Sequence, residues 1–259
     1  MSIAEKLTTV AENQHKVYDA GKKAKNEEFW RSFTENGARK TYYYGFARTD
    51  FSGETIPEGL CRPQKHDSSF VAMDRMFYGY KGTTLPKGID VTLVPEGESV
   101  GSMIFYVSNY LTEIYDMGIP AVPSMTSWFN YCNKLHTIEK IRVNENTTFT
   151  TTFGGTSSLK NVTFEGVIGR DINFQHSPLS VASLKNIIKH LKKYIGTSSE
   201  FAYTVTFKSS AFTELEAAGF TDDDWIWFEE TFELTKETFE GLIKWADLVN
   251  ALKWNLVLA

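Results

Sequence analysis

Hydrophobic positions recur at a fixed interval between Ser102 and Ile168. Phe105, Phe129 and Phe153 are 24 residues apart, as are Leu111, Leu135 and Leu159, and as are Ile114, Ile138 and Val162. Each unit reads Phe, then Leu, then a β-branched residue, with a small residue between (Ser108, Cys132, Thr156). A unit this short cannot bury its apolar face alone. It must stack on its neighbours, with the apolar positions forming columns along the stack. The period predicts a solenoid of leucine-rich-repeat size. Columns that change from unit to unit are expected at the surface: Tyr106, Asn130 and Gly154; Tyr110, Lys134 and Ser158; Thr112, His136 and Lys160. An irregular unit around Phe77, with Leu85 displaced, predicts an insertion before Phe105. Pro86, Pro95, Pro120 and Pro123 fall between units, where a residue without an amide hydrogen is tolerated.

On either side the period changes. Ser2 with Glu5 is a capping box, and Ile3, Leu7, Val10, Gln14, Val17, Gly21 and Ala24 follow heptad spacing. This predicts an amphipathic helix over residues 1–35. Ile3, Leu7, Val10, Gln14 and Val17 then form an oligomerisation seam, or the helix caps its own repeats, and both can hold together. Asn36-Gly37 is a turn, and Thr41 to Phe46 reads as a strand.

After the repeats, a helix is expected from Ser180 to Ile195, with Lys185, Lys189, Lys192 and Lys193 as a solvated face and Gly196 as its end. A strand carrying Phe201, Tyr203, Val205 and Phe207 follows. A short helix closes at Gly219, and a final helix starts at Thr235 and carries Phe239 to Leu252. The expected class is α+β: an N-terminal helix (1–35), a short leucine-rich-repeat-like solenoid (36–178) and a C-terminal α/β capping segment (179–259).

Composition narrows the function classes. A hydrophobic content of 42% supports a buried core, and the net charge of -5 argues against a nucleic-acid surface, which needs a basic stripe. Cys61 and Cys132 are too few for a disulfide framework and lack metal spacing, although one bridge stays open. The N-terminus has no apolar signal-peptide core, and no apolar run is long enough to span a membrane. Synthesis in the cytoplasm without a signal peptide is expected, and no membrane insertion.

Motifs for chemistry are sparse. Metalloprotease, phosphate-loop and nucleophile-elbow patterns are all missing from the chain. Cys132 and His136 could be drawn as a nucleophile and base, but their columns read as small interior residue and variable surface residue. Asp222, Asp223 and Asp224 offer oxygen ligands without the glycine and distal glutamate of a calcium loop. The glycosylation triplets at Asn146 and Asn161 have no secretion signal to make them relevant. No catalytic residue, metal or cofactor is expected. What remains is aromatic content, 14% of the chain, with Tyr78, Tyr80, Tyr106, Tyr110, Tyr131, Trp225 and Trp227 in variable columns or loops. With His136 they form the candidate ligand-binding surface, because flat rings with a polar edge suit sugar faces and protein epitopes.

The segments Met1 to Asn13, Lys16 to Lys23 and Phe29-Trp30 to Asn36-Gly37 resemble the start of tail-associated proteins from phages and prophages of Gram-positive bacteria. Leu135 to Gly169 and the Ser177-Pro178-Leu179-Ser180 helix start resemble their BspA-type leucine-rich repeats and closing helix. Residues 57–100 and 221–233 depart from that pattern. The resemblance implies a non-enzymatic virion or tail-fibre component. It would contact a host cell-surface glycan or protein, assemble with other tail proteins and form a homo-oligomer. The alternative is an intracellular prophage-encoded repeat protein that binds a host protein as effector or inhibitor. A carbohydrate-active enzyme would need two carboxylates about 5 to 10 Å apart in a cleft.

Overall fold

A computed structural model describes residues 12–13, 45–56, 58, 61–63, 72–194, 201–241 and 243–259. The expected N-terminal seam (Ile3, Leu7, Val10, Gln14, Val17) lies outside the described residues, as do positions 41–44 of the expected strand. Its described end, Gly45 and Phe46, is a turn. The fold is mixed α and β, with two three-stranded parallel sheets and five helices among the described residues. None of those helices is long and apolar enough to cross a membrane.

The first sheet has the order β1 (Glu113–Ile114), β2 (Thr137–Val143), β3 (Asn161–Gly166). Ile114 pairs with Ile138 and Ile138 with Val162, so neighbouring strands keep the 24-residue register read from the apolar columns. On the opposite side of each unit, hydrogen-bonded turns replace strands. Met103, Phe105 and Val107 donate their amides to the carbonyls of Thr126, Trp128 and Asn130, and Ser127, Phe129 and Tyr131 donate theirs to Thr150, Thr152 and Gly154. This turn ladder satisfies the backbone across units as a parallel sheet would. Two positions in every unit are left-handed: Arg75, Met103, Ser127 and Thr151 form one series, and Gly79, Val107, Tyr131 and Gly155 the other. A left-handed valine is strained in isolation. Its recurrence in register marks it as part of the turn that every unit repeats.

The core is a column of phenylalanine rings. Phe46, Phe77, Phe105, Phe129 and Phe153 follow one another with centroids 5.0, 5.4, 5.5 and 5.6 Å apart. Phe174 and Phe207 continue it into the second sheet. The leucine and β-branched columns are buried beside it, and the small column is buried too. Ser108 Oγ donates to Phe77 O, and Cys132 Sγ to Phe105 O, so these small residues satisfy a carbonyl of the preceding unit. The Phe77 unit pairs with the next at a 28-residue offset, for example Tyr80 N to Ser108 Oγ, which places the extra residues in the loop after Gly88.

The second sheet has the order β4 (Ile172–Phe174), β5 (Tyr203–Phe207), β6 (Trp254–Leu258). Helix α1 (Val181–His190) starts where expected, with Ser180 accepting from Ser183 N, but ends before Ile195. Leu191 is extended and bridges Ile168, which draws the chain out of the helix. Phe201 precedes β5 and is exposed, contrary to its expected place on the strand's buried side. Helix α2 (Ser209–Ala218) closes at Gly219, whose positive φ suits that residue. Helix α3 (Asp222–Phe232) was not expected. The single final helix is in fact α4 (Lys236–Phe239) and α5 (Trp245–Ala251), broken around left-handed Gly241 and followed by β6.

Candidate functional site

The unit turns carry a row of tyrosines. Tyr78 stacks on Tyr106 with centroids 5.4 Å apart, and Tyr131 meets Tyr106 edge-on at 5.7 Å. The row follows from the architecture, since Tyr78 and Tyr106 occupy equivalent positions and Tyr131 lies one residue beyond the third, Asn130. Tyr131 takes the left-handed position that Gly79 and Gly155 fill elsewhere, and its ring is directed away from the core. Tyr110, in the neighbouring column, lies under the Lys134 ammonium at 5.3 Å. Tyr110 is 54% exposed and Tyr131 52%, while Tyr78 and Tyr106 are half-buried. His136 is exposed, and its backbone belongs to the scaffold, accepting from Lys160 N and Asn161 N and donating to Thr112 O.

Three expected members do not belong to this surface. Tyr80 is fully buried: its hydroxyl accepts from Phe51 N, donates to Thr84 O, and is pushed well above the usual tyrosine range by burial. Trp225 is also core, stacked on Phe220 at 4.8 Å, because helix α3 turns it inward. Trp227 is half-buried against Trp245 and Phe232. The structure therefore brings together Tyr78, Tyr106, Tyr110 and Tyr131, and places Trp225 and Trp227 with the C-terminal helices.

The sheet face differs in character. Asp116 accepts two hydrogen bonds from the Arg142 guanidinium, at 2.7 and 2.8 Å, and Lys140 lies between Asp116 and Glu165. The Arg142 pairing holds Asp116 down at about 2. These charges satisfy one another. The turn face offers uncharged rings instead, with a polar edge on each.

The candidate chemistry resolves into structure. Cys132 is fully buried, its thiol pushed up to about 12 by burial, and His136 points to solvent, so they form no nucleophile and base pair. No disulfide joins Cys61 and Cys132. Asp224 is the N3 residue of a capping box with Thr221 and is only 2% exposed. It binds Lys185 at 2.5 Å and Lys189 at 2.7 Å. Burial opposes its ionisation, but the two ammonium groups and Thr221 outweigh that and hold its carboxyl below the usual range. The four lysines expected to be solvated are accordingly paired: Lys185 and Lys189 of α1 with Asp224, and, beyond the end of α1, Lys192 with Glu145 and Lys193 with Thr231 O. Among the described residues no three His, Cys, Asp or Glu side chains are grouped to hold a metal ion.

Searches against protein-family models, curated proteins and solved structures find no match to this chain.

Proposed function

We propose that the protein is a non-enzymatic recognition component of a phage or phage-like tail. In this reading it is a short solenoid of leucine-rich-repeat type that presents its turn face to a glycan or protein of a host cell surface. The observation that carries the reading is the row of Tyr78, Tyr106 and Tyr131 with Tyr110 beside it, raised on a scaffold whose backbone is fixed unit by unit. Rings held this way lose little entropy on binding and bring both apolar area and hydroxyl groups to a partner. The commitment of Asp116 and Asp224 to ion pairs and the burial of Cys132 support a binding role over catalysis. The tail assignment rests on the resemblance of the N-terminal segments. Purified particles and infected-cell lysate should be probed for the protein, and the isolated protein tested for binding to host envelope. Presence in particles with envelope binding is the expected result. Occurrence in lysate alone, with capture of a host cytoplasmic protein, would replace this reading with the intracellular one.

A further inference from the structure

The turn ladder stops one step before the second sheet. Met125 and Ser127 donate their amides to Thr148 O and Thr150 O, each at 2.9 Å. One period later, the amides of Phe149 and Thr151 find no acceptor among the described residues. Among the described residues β4 pairs only with β5, on its other side, and the step from Phe153 to Phe174 is 21 residues instead of 24. The Phe153 and Phe174 rings still meet, at 4.4 Å, so the gap is closed at the core and opens outward. It forms a groove of about 410 Å³ between residues 148–150 and the β4 and β5 strands.

The groove is lined by rigid polar groups. The hydroxyls of Thr150, Thr204 and Thr206 have no hydrogen-bond partner among the described residues. Asp171 Oδ1 accepts from Thr204 N at 2.6 Å, which leaves Oδ2 available, and Asn173 Oδ1 accepts from Gln175 N, which leaves its amino group available. The Arg170 guanidinium is held by Asn146 Oδ1, Gly169 O and the Tyr203 hydroxyl and lies over the Tyr203 ring. It is a fixed wall.

We infer that this groove is a binding site for a neutral saccharide segment of one or two rings, separate from the tyrosine row. A sugar presents closely spaced hydroxyls that both donate and accept, matching the hydroxyls, carboxylate, carboxamide and Phe149 backbone of the residues that line this one space. The volume lies within the range of small-molecule sites. A phosphate would meet the Asp171 carboxylate in the lining, and three of the five N–H groups of Arg170 are already used. An extended peptide would need pockets for alternate side chains, whereas the apolar lining residues Phe149 and Ile172 are only 6% and 2% exposed.

The test follows the amide NMR spectrum of the full chain during titration with maltose, cellobiose, lactose and diacetylchitobiose. At least one sugar should bind with a dissociation constant of about 1 mM or lower, shifting Thr150 and Thr204. Thr150→Val with Asp171→Asn should weaken that binding about tenfold or more. Tyr110→Ala should leave it unchanged, so that failure of this site and failure of the tyrosine row are read separately. Binding of none of the sugars, or binding that survives in the groove variants of a folded chain, would overturn the inference. Shifts at Thr150 and Thr204 with tetra-alanine and with no sugar would overturn it in favour of an extended peptide.

Discussion

Phe129 and Phe153 stand 24 residues apart in the chain, and their rings stack with centroids 5.6 Å apart. Each ring in the column has one neighbour above and one below, so removing a middle ring opens a cavity that two units would have to close together. Phe129→Ala is expected to cost about 3 to 5 kcal/mol, against about 0.5 kcal/mol or less for His136→Ala at the surface. Denaturant unfolding of the two variants checks this. Equal losses would contradict the register.

The small column predicts an asymmetric response at Cys132. Its thiol donates to Phe105 O, and Ser108 fills the same role one unit earlier with a hydroxyl. Cys132→Ser should therefore be nearly neutral, whereas Cys132→Val removes one of the two hydrogen bonds that Phe105 O accepts, leaving that from Ser108 N, at a cost of about 0.5 to 1.5 kcal/mol. The buried thiol, held up at about 12, should also react with a disulfide reagent only as fast as the chain opens.

Asp224 joins α3 to α1 through Lys185 and Lys189. Asp224→Ala leaves two ammonium groups facing each other without their carboxylate, and about 3 to 5 kcal/mol should be lost. A triple variant with Lys185→Met and Lys189→Met should recover much of that loss, because the buried charges are then gone. Melting curves of the single and triple variants decide the point.

Acid sensitivity is expected on the sheet face. Asp116 is depressed in the folded state by Arg142, from an ordinary value of 3.8 to about 2. A depressed carboxylate contributes stability that is complete above its unfolded value and lost as the pH falls through the folded one. The loss should therefore fall between pH about 4 and about 2 and, for a pair partly open to water, amount to about 1 kcal/mol or less. Arg142→Met should flatten the stability profile in that window.

Much of the scaffold was legible in the chain because each unit uses the same residue type at the same offset, as Phe105, Phe129 and Phe153 do. Phe46, Phe174 and Phe207 join the same ring column but were hidden, since their steps to the neighbouring ring are 31, 21 and 33 residues. Helix α3 was hidden because Trp225, Ile226, Trp227 and Phe228 are consecutive and give no helical period. Its usable signal was Thr221 with Asp224 three residues on, a capping pair. β6 lies beyond Leu252, where the helical apolar spacing ends, and its five residues are too short a stretch to announce a strand. Of the candidate surface, Tyr106 and Tyr110 were legible from column variability. Tyr80 and Trp225 were not, because their exposure is set by contacts with Phe51 and Phe220 rather than by any pattern near them. The groove draws on three separated segments, and no one of them carries a motif.

The central claim is that exposed tyrosines on the turn face meet the partner while contributing little to the fold. Its most direct test is attachment of Tyr110→Ala with Tyr131→Ala to host cells or a purified envelope fraction, measured beside the melting temperature. These rings are 54% and 52% exposed, so attachment should be lost while melting stays within a few degrees of the wild type. A folded double variant that attaches as well as the wild type would contradict it.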